Sequence, residues 1–268
     1  HAVRGKQVIY TRFIALGDSY TEGMSDEKLH GNYRGWADRV ADGMAKAHPD
    51  FTYANLAIRG KLVRQVLDEQ IEAALAQVTG PDTLISFHAG ANDVIRPGYK
   101  AEIVLKQYAD AVRRLAASGA TILLFTVLER TGNTGRSAKM WEERFGGFNR
   151  NVRAVAQEVG ALIADANEEP AFSDKRFLAF DRLHLNALGH ERVADAVLEL
   201  LELPFNPGWR DPLPPAKPEP KIFKVVVSIL WFITFALPWM WRRARGKSSG
   251  DGRSCKYPIA IGWPLNLD

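Results

Sequence analysis

The chain predicts an α/β fold: a doubly wound, three-layer α/β/α sandwich on a parallel five-stranded sheet, with a C-terminal extension. Two observations carry this. Short apolar runs ending in Gly, Asn or Asp turns alternate with stretches of helical periodicity, and connections of that length join parallel strands. The alternation then stops at a segment with seven prolines in residues 204–220, which reads as an extended linker or surface strap.

The strand runs, in order, are Val8 to Leu16, Phe51 to Ala57, Thr83 to Ala89, Ala120 to Leu128 and Ala161 to Ala164. They are short and apolar, as strands covered on both faces are. Helical patterns lie between them at Gly35 to Lys46, Leu62 to Val78, Ala101 to Ala117 and Ala138 to Val159. A last helix, about Ala187 to Leu201, places Val193, Val197, Leu200 and Leu201 on one stripe. Right-handed crossovers distribute these helices over both faces of the sheet. The chain thus divides into a body (1–203), a Pro-rich linker (204–221) and an apolar segment with a basic tail (222–268).

The 268 residues, 46% hydrophobic and 25% charged, suit a globular protein with a sizeable core. The net charge of +4 is uneven. Residues 204–268 carry ten Lys/Arg against four Asp/Glu, so the body is slightly acidic. The basic balance therefore does not point to nucleic acid. A single cysteine, Cys255, leaves no internal disulfide and no cysteine cluster for zinc, and suits a reducing compartment. The chain opens His1-Ala2-Val3-Arg4 without a visible signal peptide, and Phe13 to Leu16 reads as a strand. A cytoplasmic or membrane-associated protein is expected. Because the first residue is not Met, a trimmed N-terminus fits equally well.

Three separated turns carry the chemistry. Gly17-Asp18-Ser19-Tyr20 follows the first strand, Gly90-Ala91-Asn92-Asp93 the third, and Asp181-Arg182-Leu183-His184 precedes the last helix. In an open parallel sheet such turns converge outside the carboxyl ends of the strands. Ser19 at a helix entry suits a nucleophile, because N–H groups there favour developing negative charge. His184 has a carboxylate, Asp181, three positions earlier in a loop just before the last helix. Asp181 can accept its Nδ1 proton while Nε2 faces Ser19. Asn92 offers a side-chain amide to an oxyanion, and Gly60, lacking Cβ, lets its N–H come close. Asp93 reads as a brace for its turn, His88 as a satisfied core residue, and His190 as part of the last helix. Each piece alone also fits a cap or a turn former; the set fits acyl transfer.

These blocks, Gly17-Asp18-Ser19, Gly60, Gly90-Ala91-Asn92-Asp93 and Asp181-Arg182-Leu183-His184, resemble those of the SGNH hydrolases, or GDSL esterases/lipases, over residues 12–201. The resemblance implies a flavodoxin-like sandwich and ester hydrolysis without a cofactor, and with no plausible metal cluster in the sequence no metal is expected to take part. It implies Ser19 as nucleophile, His184 as base, Asp181 as its orienting carboxylate, and Ser19 N–H, Gly60 N–H and Asn92 as oxyanion donors. Tyr20 stands where the eponymous motif has Leu. The implied partner is a small-molecule, lipid or carbohydrate ester. Two other readings remain open: acyl transfer to a sugar or polymer hydroxyl, and a non-catalytic binding or scaffold protein. Glu129 to Gly147 follows the fourth strand and is expected to overhang the site, although most of it reads as helix rather than lid. Met140, Trp141 and Phe145 within it, and Tyr20, Met24, Trp36 and Ile95 elsewhere, are candidate walls, each of which also fits ordinary core or surface packing.

Gly246-Lys247-Ser248-Ser249-Gly250 matches G-x-S-x-G but lacks a preceding strand and a following histidine. It is no phosphate loop either, since Trp241 stands where the first glycine is required. Val225 to Trp241 is uncharged, and Ile222 to Trp241 holds one charge, Lys224. That length and the following Arg242, Arg243, Arg245 and Lys247 suit a membrane span or membrane contact through 222–247. The competing expectation is a helix docked on the body.

Overall fold

The computed structural model describes residues 8–129 and 136–265. β1 (Arg12–Gly17) leads to the single turn α1 (Ser19–Glu22) and a small hairpin, β2 (Lys28–Leu29) and β3 (Asn32–Tyr33). The body continues through α2 (Gly35–Ala47), β4 (Thr52–Asn55), α3 (Val63–Leu75), β5 (Thr83–His88), α4 (Ala91–Val94) and α5 (Ala101–Ala116). It closes with β6 (Thr121–Phe125), α6 (Arg136–Val159), β7 (Leu162–Ala164) and α7 (Ala187–Leu200).

Five strands, in the order β7-β6-β5-β1-β4, are parallel throughout. This is the flavodoxin-like order, in which the chain first winds one way from β1 and then the other. The reversal lies between β1 and β5, so the turns after these two strands open side by side. Every residue of β5, and all but the first of β1, is buried, as central parallel strands require. One face carries α3, α5 and α6 over Ile14, Leu16, Ile85 and Phe87. The other carries α2 and α7 over Phe13, Ala15, Tyr53 and Leu123, with Trp36, Val40, Val193 and Val197 interlocked there.

The sheet exceeds the predicted five strands by one. Within the C-terminal tail, β8 (Tyr257–Gly262) pairs antiparallel with β4 at the sheet edge. Pro258 argues against a strand in the sequence, but an edge strand tolerates proline because one side of its backbone needs no partner. The junction is buried and charged. Lys256 Nζ lies 2.7 Å from Asp38 Oδ1, both side chains being 3% exposed or less, and also donates to the Tyr33 and Arg34 carbonyls at 2.8 and 2.9 Å. Tyr53 Oη donates to the same Asp38 oxygen at 2.8 Å. Trp263 Nε1 donates to Asp42 at 2.7 Å. Through β8 the tail thus joins the body's own sheet.

Between α7 and β8 the chain first hugs the body. Trp209 is buried, its carbonyl accepts from Arg192 at 2.7 Å, and the Pro214 carbonyl accepts from Arg176 at 2.5 Å. A continuous helix, Lys221–Ala244, follows. It consists of α8 (Lys221–Trp231), a π-helical stretch (Phe232–Ala236) and α9 (Leu237–Ala244). The wide π turn precedes Pro238, whose ring would clash with the carbonyl four residues back in a regular helix. Lys256→Ala strips the buried Asp38 of its counter-charge and is expected to lower stability by about 3–5 kcal/mol. Equilibrium urea unfolding of wild type and variant checks this.

Candidate active site

The site starts at the end of β1. Gly17 has φ +141°, and a Cβ there would stand 2.1 Å from the His88 carbonyl oxygen. Only glycine therefore lets the ends of β1 and β5 run this close. The buried Gln70 amide grips the same residue, accepting from its N–H and donating to its carbonyl, each at 2.9 Å. Asp18 follows, buried to 2% exposure. Its Oδ1 accepts from Tyr20 N–H at 3.1 Å and so caps α1. Ser19 is then the first residue of that helix, where N–H groups lack an intrahelical acceptor.

Asn92 stands on α4, reached by the turn after β5. Its Nδ2 donates to Asp18 Oδ2 at 3.2 Å and to the Lys61 carbonyl at 3.1 Å. Asp93 Oδ2 accepts from Val63 N–H at 2.9 Å, at the start of α3. The turns after β1, β4 and β5 are thus bonded to one another, and Asp93 braces its turn as the sequence suggests. Burial pushes the Asp93 carboxyl up to about 6, with the nearby Asp18 charge adding to the shift and the Val63 N–H and Arg96 opposing it.

The fourth block is a tight loop. Asp181 Oδ1 accepts from Leu183 N–H and His184 N–H, each at 2.9 Å. Arg182 takes a left-handed φ of +59°, and Ala179 N–H closes the loop on the His184 carbonyl at 2.8 Å. Asn186 then caps α7 by accepting from Gly189 N–H. The loop leaves Asp181 Oδ2 at 2.6 Å from His184 Nδ1, and His184 Nε2 at 3.0 Å from Ser19 Oγ. Burial raises the Asp181 carboxyl, but the bonds from the His184 ring and the two backbone N–H groups outweigh it, leaving a net lowering. Asp181 is therefore ionised near neutral pH and can only accept. Nδ1 then carries the imidazole proton, and Nε2 is free to accept from the Ser19 hydroxyl.

Ser19, His184 and Asp181 thus form one hydrogen-bonded chain, and Asn92 is linked to Ser19's turn through Asp18. Gly60 sits at φ +74°, with its carbonyl accepting from Ser248 Oγ at 3.3 Å. Ser248, central to the G-x-S-x-G match, thus lies against the Gly60 turn. His88 is less satisfied than its strand position suggests. It is 8% exposed and stacks on Tyr20 at 4.3 Å. Its Nδ1 is 3.5 Å from Asp18 Oδ1 but makes no hydrogen bond.

Several candidate wall residues serve elsewhere. Trp36 and Phe145 are buried in the two cores, and Trp141 and Ile95 pack against one of them. Of the Glu129 to Gly147 overhang, residues 130–135 lie outside the described residues, and from Arg136 the chain is α6. Sequence reasoning missed two contacts of the tail with the site: Ser248 on Gly60, and Trp231 Nε1 donating to the Asp181 carbonyl at 3.0 Å. No local signal marks either, because both join segments far apart in the chain.

A family model of GDSL-like lipases/acylhydrolases matches residues 15–192. The chain belongs to that family. No curated protein sequence matches it. Among solved structures it is similar in fold to Axe2, an acetylxylan esterase from Geobacillus stearothermophilus. The two share 19% identity at a TM-score of 0.58, covering 73% of this chain and 96% of that one. The psychrotrophic esterase EstA from Pseudoalteromonas sp. gives 18% identity and a TM-score of 0.56, over 72% and 97% of the two chains. TesA gives 21% and 0.57, over 71% and 98%. At such identities the likeness establishes the fold.

Beneath the family's blocks, His190 is 1% exposed. Its Nδ1 accepts from Trp36 N–H at 3.2 Å and its Nε2 donates to the Met24 carbonyl at 3.0 Å, a pattern only the neutral ring can make. Burial pulls its pKa from 6.5 to about 4, the Met24 carbonyl and Asp26 opposing the shift and Arg39 and Lys256 adding to it. As pH falls through 6.5, protons bind the unfolded chain first. The group's stabilising contribution is therefore full above 6.5 and lost towards about 4, a loss on the order of 3 kcal/mol. The stability advantage of wild type over His190→Asn should shrink by that amount from neutral pH to about pH 4, as read from urea midpoints.

Proposed function

We propose that this protein hydrolyses carboxylic esters through an acyl-enzyme on Ser19. The observation that carries the reading is the unbroken chain Asp181 Oδ2···His184 Nδ1 at 2.6 Å and His184 Nε2···Ser19 Oγ at 3.0 Å. Family membership and the esterase neighbours support it. Ser19 Oγ attacks the ester carbonyl carbon while its proton passes to His184 Nε2, and the carbonyl π electrons move onto the oxygen. The tetrahedral oxyanion collapses, expelling the alcohol, which takes the proton from His184. Water then repeats the sequence, with His184 again accepting the proton, and releases the acid. Asp181, ionised by its hydrogen bonds, holds the imidazole tautomer and stabilises the imidazolium.

The oxyanion falls to Ser19 N–H, Gly60 N–H and the Asn92 amide. The two bonds now made by Asn92 Nδ2, at 3.1 and 3.2 Å, are at the long end for N–H···O contacts. Turning one hydrogen towards an oxyanion exchanges a weak bond for a charge-assisted one.

Ser19→Ala is expected to abolish p-nitrophenyl acetate hydrolysis and fluorophosphonate labelling while keeping the wild-type circular dichroism spectrum. Retained turnover by that variant contradicts the assignment, and a wild-type protein inert to both probes favours a binding role. Asn92→Ala should lower kcat by about 10²–10³ with a much smaller change in KM, as steady-state kinetics will read.

A further inference from the structure

Lys221–Ala244 is long and apolar enough to cross a bilayer, yet the chain on both sides of it belongs to one body. Before it, Trp209 and Pro214 are held by Arg192 and Arg176. After it, Ser248 contacts Gly60, Lys256 is buried on Asp38, and β8 completes the sheet. A spanning helix would put its ends about 30 Å apart on opposite sides of the hydrocarbon. Here that would require pulling β8 out of the sheet and unpairing a buried charge.

The helix also has a definite seat. Val227, Trp231, Phe235, Trp239 and Arg243, spaced four residues apart, are partly covered, while most of the residues between them are exposed. This narrow stripe runs along the catalytic rim. Trp231 donates to the Asp181 carbonyl at 3.0 Å, and Arg182 donates to Ser228 at 3.1 Å and stacks on Trp231 at 4.8 Å. Arg243 stands within electrostatic reach of Asp93 and Arg96. The outward surface is apolar and open to solvent, with Ile222 71%, Ile229 53%, Ile233 55% and Trp241 59% exposed. It is matched on the catalytic loop itself, where Phe180 and Leu183, flanking Asp181 and His184, are 57% and 47% exposed. Cations cluster at the two ends: Lys221 and Lys224 at one, Arg242, Arg243, Arg245 and Lys247 at the other. No acidic residue lies between Lys221 and Lys247.

The geometry points to a monotopic anchor. The helix lies in the plane of one leaflet of an anionic phospholipid bilayer and holds the Ser19–His184 rim against the lipid. A helix with this apolar exposure gains by leaving water, and basic residues at both of its ends meet anionic headgroups on the same surface. The substrate class follows, resting on the ester-hydrolysis reading: an ester carried by a bilayer-borne amphiphile, delivered from the membrane rather than from solution. The carbohydrate esters of Axe2 offer no use for such a surface.

The full chain is tested by flotation with phosphatidylcholine vesicles, with and without phosphatidylglycerol. It should float with both, more strongly with phosphatidylglycerol and less so in high salt. Ile229→Glu and Ile233→Glu should each weaken vesicle partitioning on the order of tenfold or more. Both variants should keep p-nitrophenyl acetate turnover but lose hydrolysis of a long-chain ester embedded in the vesicles. In inverted membranes from the expression host, tags at the two termini should be digested by added protease together or protected together. One tag cut and the other protected would mean a span and overturn the monotopic arrangement. A soluble dimer that ignores vesicles would assign the apolar face to a second copy and likewise overturn it. Vesicle binding without hydrolysis of any ester would sink the catalytic reading and leave the anchor standing. Intact ester hydrolysis without vesicle binding would do the reverse.

Discussion

The buried carboxylate of Asp18 is the interaction on which the site depends. Carboxyl oxygens at 2% exposure need donors to replace the water they have lost. Here one oxygen receives the Tyr20 N–H and the other the Asn92 amide. The first bond sets the turn that begins α1 at Ser19, and the second draws the loop after β5 against it. Asn92 passes the connection to Lys61, and Asp93 reinforces it through Val63. Three loops from three strands thus share one network, and the His184 ring needs only to meet a position already defined.

That meeting joins residues 165 apart in sequence, and the local chemistry of Asp181 makes it dependable. One carboxylate oxygen shapes the loop by accepting two backbone N–H groups, while the other holds the imidazole. The tail bears on the same loop from outside, where Trp231 donates to the Asp181 carbonyl. The helix that carries the membrane proposal is therefore in contact with the segment that carries the proposed base.

Much of this is legible in the chain. The five parallel strands follow from apolar runs broken by turns, and the stripe of α7 from the spacing of Val193 and Val197. Element ends are less legible. Val8 and Ile9 read as the start of the first strand, yet they are 50% and 63% exposed, and β1 begins at Arg12. Apolar side chains promote a strand only where a neighbouring strand accepts their backbone. β8 escapes notice for the opposite reason. Its Pro258 is a strand breaker by composition, while the free edge of β4 and the Gln77 amide, bonded to Ala260 N–H and the Pro258 carbonyl, supply what the local pattern lacks.

By itself the sequence determined the layered α/β class and the residue types of the candidate site. These rest on short-range causes: side-chain periodicity, the turn preferences of Gly, Asn and Asp, and the three-residue reach from Asp181 to His184. Tertiary structure alone decided that Asp18 joins Asn92, that Ser248 meets Gly60, and that Lys256 buries its charge on Asp38. It also decided that the apolar helix lies against the Asp181–His184 loop with both ends returned to one body. Each of these pairs segments dozens to hundreds of residues apart. Such contacts arise from how the whole chain fills space and neutralises its buried charges, and no local pattern records that.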